Sequence, residues 1–330
     1  MTAFRVLTTL LACAVLAACS ATSMPPSSPA QPRALPASAS TFDAAIRFGA
    51  YVSSSNSADA SAAVAALESR IGRTLAIDNR YVYWDIATAE PSVLSEFLQD
   101  DAAHGRTPLI SWNCSQSNAS IASGAADATI VAFARAVAST GRTAFVRYMW
   151  EMDGPDTVNG RKWCYDPATD LPDGRFSPTA FIAAWNHIRG IFAAQGATNV
   201  VWVWNPTCDP AKAKPYFPGA AETDWIGFDC YPSKTTSTLA DTIGKMYAAF
   251  APDGLPLMLA ETAAKSAPAS VQPTYLGPVA NTLRTEFPAV KAFVYFDGAG
   301  QGANATESWG LSPQGTTAFK LLGSKAYMGG

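Results

Sequence analysis

The sequence predicts an α/β protein, a single (β/α)8 TIM barrel, on three observations. Eight short apolar runs recur between residues 42 and 330, stretches with helical spacing lie between them, and the runs end on aromatic residues and carboxylates. Ile46–Val52 opens the series, followed by a stripe of Ala60, Val64, Leu67 and Ile71 at helical spacing. Arg80–Trp84, Thr107–Trp112 and Ala144–Trp150 come next. Ser177-Pro178 then reads as an N-cap with proline at N1, ahead of a second stripe of Phe181, Trp185, Ile188 and Phe192. Val200–Asn205, Trp225–Tyr231 and Pro256–Glu261 precede a third stripe of Leu276, Val279 and Leu283, and Ala289–Phe296 closes the set. Most runs are nearly continuous in apolar residues, as parallel strands buried on both faces require. A doubly wound sheet is the main alternative, because counting βα units does not prove closure.

Composition narrows the function. Of 330 residues 48% are hydrophobic and 15% charged, well below the usual ~25%, which excludes a disordered polyelectrolyte. A net charge of −3 without a Lys/Arg cluster argues against nucleic acid as a partner. Two histidines in the whole chain weigh against a His-rich metal site, so no metal and no cofactor are expected. His104 and His187 fall near a helix end and in mid-helix, away from the strand tips. Neither a Gly-x-Ser-x-Gly elbow nor a His-Glu-x-x-His zinc motif is present. Gly298, Gly300 and Gly302 lack dinucleotide-loop spacing and read as a surface loop. Nine tryptophans hint at a sugar-binding cleft.

The first 18 residues read as an export signal, with Arg5 ahead of the apolar stretch Val6–Ala18, which is too short to span a bilayer. Leu16-Ala17-Ala18-Cys19 resembles a bacterial lipobox, which implies lipidation at Cys19 and removal of Cys13 with the signal. Residues 19–41, rich in Pro, Ser and Ala, cannot form a core and read as a tether. At roughly 3.1 Å per residue it reaches up to ~70 Å from the membrane. The lipid is then the chain's only membrane contact. Residues 42–330 form one domain, since no linker divides them and no repeat appears. Nothing points to oligomerisation, and a monomer is expected. Cys114, Cys164, Cys208 and Cys230 suggest disulfides in an exported chain, with three possible connectivities.

In a barrel, chemistry sits at the C-terminal ends of the strands. Those ends are Trp84-Asp85, Trp112-Asn113, Trp150-Glu151, Trp204-Asn205, Asp229-Cys230-Tyr231, Glu261 and Phe296-Asp297. Aromatic faces stack on sugar rings, while carboxylates and amides read hydroxyls; a polysaccharide is the expected substrate. Asp85, Asn205 and Asp229 are candidate sugar contacts, and Arg147 either orients a carboxylate or pairs with one. Glu151 closes the fourth run and Glu261 the seventh. A carboxylate ending a buried apolar strand is costly unless paired or functional. Glycosidic cleavage needs two of them: a proton donor for the leaving oxygen, and a carboxylate for the anomeric carbon. A separation of ~5–5.5 Å gives net retention.

Six pieces in order resemble glycoside hydrolase family 26: Pro108–Trp112, Phe145–Gly154, Asn199–Pro206, Tyr216–Gly219, Asp224–Tyr231 and Leu259–Thr262. The resemblance covers most of the folded domain and implies a retaining (β/α)8 hydrolase. It implies Glu151 as acid/base, Glu261 as nucleophile, Tyr231 beside the nucleophile, and Trp112 and Trp204 lining sugar subsites. Two positions depart from the pattern. Trp150 stands where the family has histidine, and Asp153 where it has asparagine; both are candidate substrate contacts. β-Mannan is the substrate the resemblance implies first, with mixed-linkage β-glucan, β-1,3-xylan or a bacterial exopolysaccharide as alternatives. A non-catalytic glycan-binding lipoprotein is the reading from another class. The barrel order also favours one cysteine connectivity, 114–164 and 208–230, joining neighbouring loops at the mouth.

Overall fold

The computed structural model describes residues 45–54, 59–154, 164–299 and 308–329. The lipobox with Cys19, the tether, and Gly300 and Gly302 lie outside the described residues. Eight parallel strands close in sequence order into a barrel: β1 Arg47–Val52, β2 Ile77–Val82, β3 Thr107–Trp112, β4 Ala144–Tyr148, β5 Val200–Trp204, β6 Trp225–Asp229, β7 Leu257–Thr262 and β8 Val290–Asp297. Closure is made by β1 against β8, with Arg47–Val52 in register with Ala292–Asp297. That ladder excludes the doubly wound alternative.

Helices of seven or more described residues are α1 Ala60–Ile71, α2 Pro91–His104, α3 Asp127–Ala138, α4 Pro178–Ala194, α5 Leu239–Phe250, α6 Val279–Thr285 and α7 Pro313–Gly323. They follow every strand but β5, where a short helix, Pro210–Ala213, takes the position. At α4 the Ser177 hydroxyl accepts from the Ala180 amide and Pro178 occupies the first turn, as the sequence predicts. Thr238 and Asp241 form a reciprocal capping box on α5.

Strand alternation divides the apolar residues into two cores. Ile77, Leu109, Phe145, Val201, Val203, Trp225, Met258, Ala260, Ala292 and Val294 pack together inside the barrel. The opposite face of the same strands packs under the helices, as with Phe133 of α3, Trp185 of α4 and Phe250 of α5.

Two strands differ from expectation. β2 begins three residues earlier than the predicted Arg80 and ends at Val82. Its polar residues Asp78, Asn79 and Arg80 hide the strand from an apolar search; inside the protein each has a partner described below. β4 ends at Tyr148 rather than Trp150. Met149 and Glu151 take left-handed backbone conformations, with φ of 49° and 56°, and no ladder continues through such residues.

Disulfides join Cys114 to Cys164 and Cys208 to Cys230. They are the pairs the barrel order favours, and they tie the loops after β3 and β4 and the loop after β5 to the tip of β6.

Candidate active site

The site is built around one buried guanidinium. Arg147 follows Phe145 in the inward column of β4 and is fully buried. Its Nη1 donates to both Asp229 oxygens at 3.1 Å and to Asn205 Oδ1 at 3.4 Å. Nη2 donates to Glu261 Oε1 at 2.5 Å. Nε donates to Ser111 Oγ at 2.6 Å, and that hydroxyl donates onward to Asn79 Oδ1 at 2.6 Å. Packing limits are tight here: a Cβ at Gly227 would sit 2.3 Å from Asn205 Oδ1, so glycine leaves the space through which Asn205 reaches the guanidinium.

Glu261 reaches this centre because β7 is irregular. Met258 and Ala260 face the barrel interior, so strict alternation would send Glu261 outward. The pairing with β8 shifts register between Leu259 and Thr262, and Thr262 instead points outward to the Tyr275 hydroxyl. The bulge thus re-aims one side chain. Two phenols then meet Glu261: Tyr81 donates to Oε1 at 2.5 Å and Tyr231 to Oε2 at 2.8 Å.

Glu151 arrives by another irregularity. The two left-handed residues bracketing Trp150 cost on the order of 1–3 kcal/mol each and persist only where surrounding contacts fix them. Those contacts are visible. The Met149 amide donates to Trp112 O at 2.9 Å, and the Glu151 amide to Asn205 O at 2.6 Å. Asp153 is buried and accepts from the Thr207 amide at 2.8 Å and hydroxyl at 2.7 Å. The result brings carboxylate oxygens of Glu151, Asp229 and Glu261 within 4.8 Å of one another. Among the described residues this is the group that could close on a metal ion. Arg147 already supplies positive charge to two of its members.

Burial pushes the Asp229 carboxyl well above the usual carboxylate range; the Glu261 charge adds to the rise and Arg147 opposes it. Burial, then the Glu261 charge, raises the phenols of Tyr81 and Tyr231, so both stay protonated and can donate. Burial lowers Arg147, but the carboxylates of Asp229 and Glu261 more than offset that, and it ends above the ordinary arginine value.

Aromatic rings wall the centre. Trp150, 4% exposed, packs 5.0 Å from the Tyr81 ring with the Arg147 guanidinium 5.5 Å from its own ring. Tyr51 meets Tyr81 and Phe296 at 4.8 Å each, and Trp309 meets Tyr231 at 4.8 Å.

Several expected contacts stand elsewhere. Trp112 stacks on Trp84 and Phe133 at 4.4 and 4.2 Å, in the layer beneath the helices. Trp204 packs on Phe217 and Phe250 at 4.9 and 5.2 Å in the same layer. Both are fully buried, so neither lines the cleft. Strand parity is the reason: Ser111 and Val203 point inward, so Trp112 and Trp204 point outward. Asp153 and Asn205 are fully buried and hold the turn that carries Glu151, rather than facing solvent. Asp85 is exposed in the loop after β2 and shares no described hydrogen bond with the carboxylates. Conversely, sequence reasoning passed over Tyr81, Tyr51 and Trp309. The inward column Ile77, Asn79, Tyr81 would have exposed Tyr81, had β2 been placed three residues earlier.

The fold and this centre together define a (β/α)8 barrel with clustered carboxylates at its mouth. No protein-family model matches the chain. Over 293 residues it is 25% identical to Endoglucanase H of Acetivibrio thermocellus, covering 84% of this chain and 30% of that one. The chain thus spans less than a third of that relative's length. Solved structures share the barrel. A GH26 β-mannanase from Bacteroides ovatus matches with a TM-score of 0.62 at 14% identity, over 88% of this chain and 91% of that one. The YdhT protein of Bacillus subtilis matches at 0.61 and 16% identity, over 88% of each. A β-mannanase from a symbiotic protist of the termite Reticulitermes speratus, complexed with gluco-manno-oligosaccharide, matches at 0.59 and 14%, over 86% of this chain and 88% of that one.

Proposed function

We propose that this protein is a retaining endo-β-glycan hydrolase with Glu151 as acid/base and Glu261 as nucleophile. The observation that carries the reading is the carboxylate geometry: oxygens of Glu151 and Glu261 lie within 4.8 Å, compatible with the ~5–5.5 Å of direct attack. The described hydrogen-bond partners of Glu261 are all donors (Tyr81, Tyr231 and Arg147), which suits an anion. In the first step Glu261 attacks the anomeric carbon and the glycosidic bond breaks. The leaving oxygen keeps the bonding electrons and takes the Glu151 proton. In the second, Glu151 accepts a proton from water, whose oxygen attacks the same carbon and returns the electron pair to Glu261. Asp229 and Arg147 hold the nucleophile's side of the cleft rigid.

The substrate reading is β-mannan or a related β-linked polysaccharide, supported by neighbours described as β-mannanases. A β-glucan is the second reading, favoured by the curated relative described as an endoglucanase. For localisation we propose an exported protein tethered through Cys19; two disulfides support an oxidising compartment.

Reducing-sugar release tests this on galactomannan, glucomannan, mixed-linkage β-glucan, β-1,3-xylan and bacterial exopolysaccharides, with Glu261→Ala in parallel. Release from one polymer, abolished in the variant, is the expected result. Binding without release across the panel would replace the hydrolase by a glycan-binding lipoprotein.

A further inference from the structure

Glu261 is held unevenly. Oε1 accepts from Tyr81 at 2.5 Å and from Arg147 Nη2 at 2.5 Å, whereas Oε2 accepts from Tyr231 alone among the described residues. A carboxylate oxygen offers two in-plane lone pairs. Both pairs of Oε1 are engaged; one pair of Oε2 is open.

Tyr81 is itself immobilised. Its ring touches Tyr51 on one side at 4.8 Å and Trp150 at 5.0 Å, with the Arg147 guanidinium 5.6 Å from the ring centre. Its place on β2 is fixed by full pairing with β3, from Ile77 opposite Thr107 to Val82 opposite Trp112. The hydroxyl therefore approaches Glu261 from a rigid strand and cannot follow the carboxylate if it rotates.

Resting on the hydrolase reading above, we propose that Tyr81 is a positioning residue which, with Arg147, fixes Oε1 of Glu261 as the spectator oxygen and assists departure of that carboxylate from the sugar. Oε2 forms the bond to the anomeric carbon as the glycosidic bond breaks. Oε1 becomes the carbonyl oxygen of the glycosyl ester. When water attacks, the ester bond breaks, its electron pair returns to Oε2, and negative charge spreads to Oε1 under the Tyr81 and Arg147 donors. A donor on Oε1 stabilises the free carboxylate more than the ester. It hence helps the second step, where charge reappears, and does not speed the first, where charge is lost.

The test separates the two steps. The full chain and its Tyr81→Phe variant, which keeps the ring contacts, are treated with 2,4-dinitrophenyl 2-deoxy-2-fluoro-β-cellobioside and with the corresponding β-mannobioside. Inactivation reads the first step and reactivation the second. A hydrogen bond to a charged group corresponds to roughly tenfold or more in rate. Reactivation of the variant is expected to slow about tenfold, with inactivation changed less than about threefold. On an activated aryl glycoside, kcat and KM then fall together while kcat/KM stays nearly level; a merely structural role lowers the melting temperature without that split. Unchanged reactivation, or slowed inactivation alone, overturns the proposal. If Tyr81→Phe yields little folded protein, Tyr81→3-fluorotyrosine, a stronger donor of the same shape, must speed reactivation; no change there overturns it equally. A wild-type chain that neither probe labels and that releases no reducing sugar from the polymer panel refutes the hydrolase reading itself, and that failure shows before any variant is compared.

Discussion

Two buried arginines, each surrounded by carboxylates, sit in different layers of the barrel, one inside it and one between strands and helices, and the contrast shows what turns a charge cluster into a site. Arg106, just before β3, is 2% exposed and bonds Asp101 at 2.8 Å, Glu68 at 3.1 Å and Asp100. Asp78 of β2 pairs with Arg80 at 2.9 Å and joins this cluster through its contact with Asp101. It lies between regular strands and helices α1 and α2. The buried side chains of Asp78 and Asp101 hydrogen-bond each other. Around Arg147 the backbone is irregular instead, with bulges in β6 and β7 and left-handed residues after β4. The carboxylate oxygens there meet phenolic donors, and the cluster sits at the strand tips. Burial and charge are common to both centres. Irregular backbone, tyrosine donors and a place at the barrel mouth belong to one.

The largest expected effect separates them by activity. Glu261→Ala lowers kcat/KM by on the order of 10⁴-fold or more, whereas Asp101→Asn leaves it within about twofold, as steady-state kinetics on the polymer that the panel selects would show. Stability should be lost at both centres. Arg147→Met and Arg106→Met each strand buried carboxylates, which costs about 3–5 kcal/mol, measured by urea unfolding. Equal loss would confirm that the clusters are electrostatically alike; a stable Arg147→Met would break the comparison.

The pH dependence of stability sharpens it further. Burial, then the Asp78 charge, raises Asp101 from an ordinary 3.8 to about 8, against the pull of Arg106. Between those values the folded chain holds a proton that the unfolded chain has released. That contribution to stability is full at low pH and is lost as pH rises through about 8. Melting temperature should accordingly fall between about pH 4 and pH 8 and level off above that, and Asp101→Asn should flatten the decline. The smallest effect belongs to the turn. Thr207→Val removes the 2.7 Å hydroxyl bond to Asp153, at about 1 kcal/mol. It should lower kcat severalfold by loosening the turn that carries Glu151, with KM little changed.

What was legible in the sequence follows the same division. Continuous apolar runs announce buried parallel strands, and the closed ladder decides for the barrel over the doubly wound sheet. Cysteines in neighbouring loops indicate their pairing once the strands are ordered. Glu151 and Glu261 stand out as carboxylates ending apolar runs, and the fold brings them together. Side-chain direction is harder to read, because one residue of shift reverses a strand's faces. Trp112 and Trp204 look like cleft aromatics until Ser111 and Val203 are found pointing inward. Tyr81 stays hidden behind Asp78 and Arg80, whose charges are absorbed by the second cluster. Glu261 faces the centre only because a bulge breaks the alternation that sequence patterns assume.

Glu151 and Glu261 are proposed to work as a retaining pair. Proton NMR of the first sugar released by the wild-type chain, recorded before mutarotation, tests it most directly. Appearance of the β-anomer first is the predicted result. The α-anomer first would mean inversion, and would contradict direct attack by Glu261.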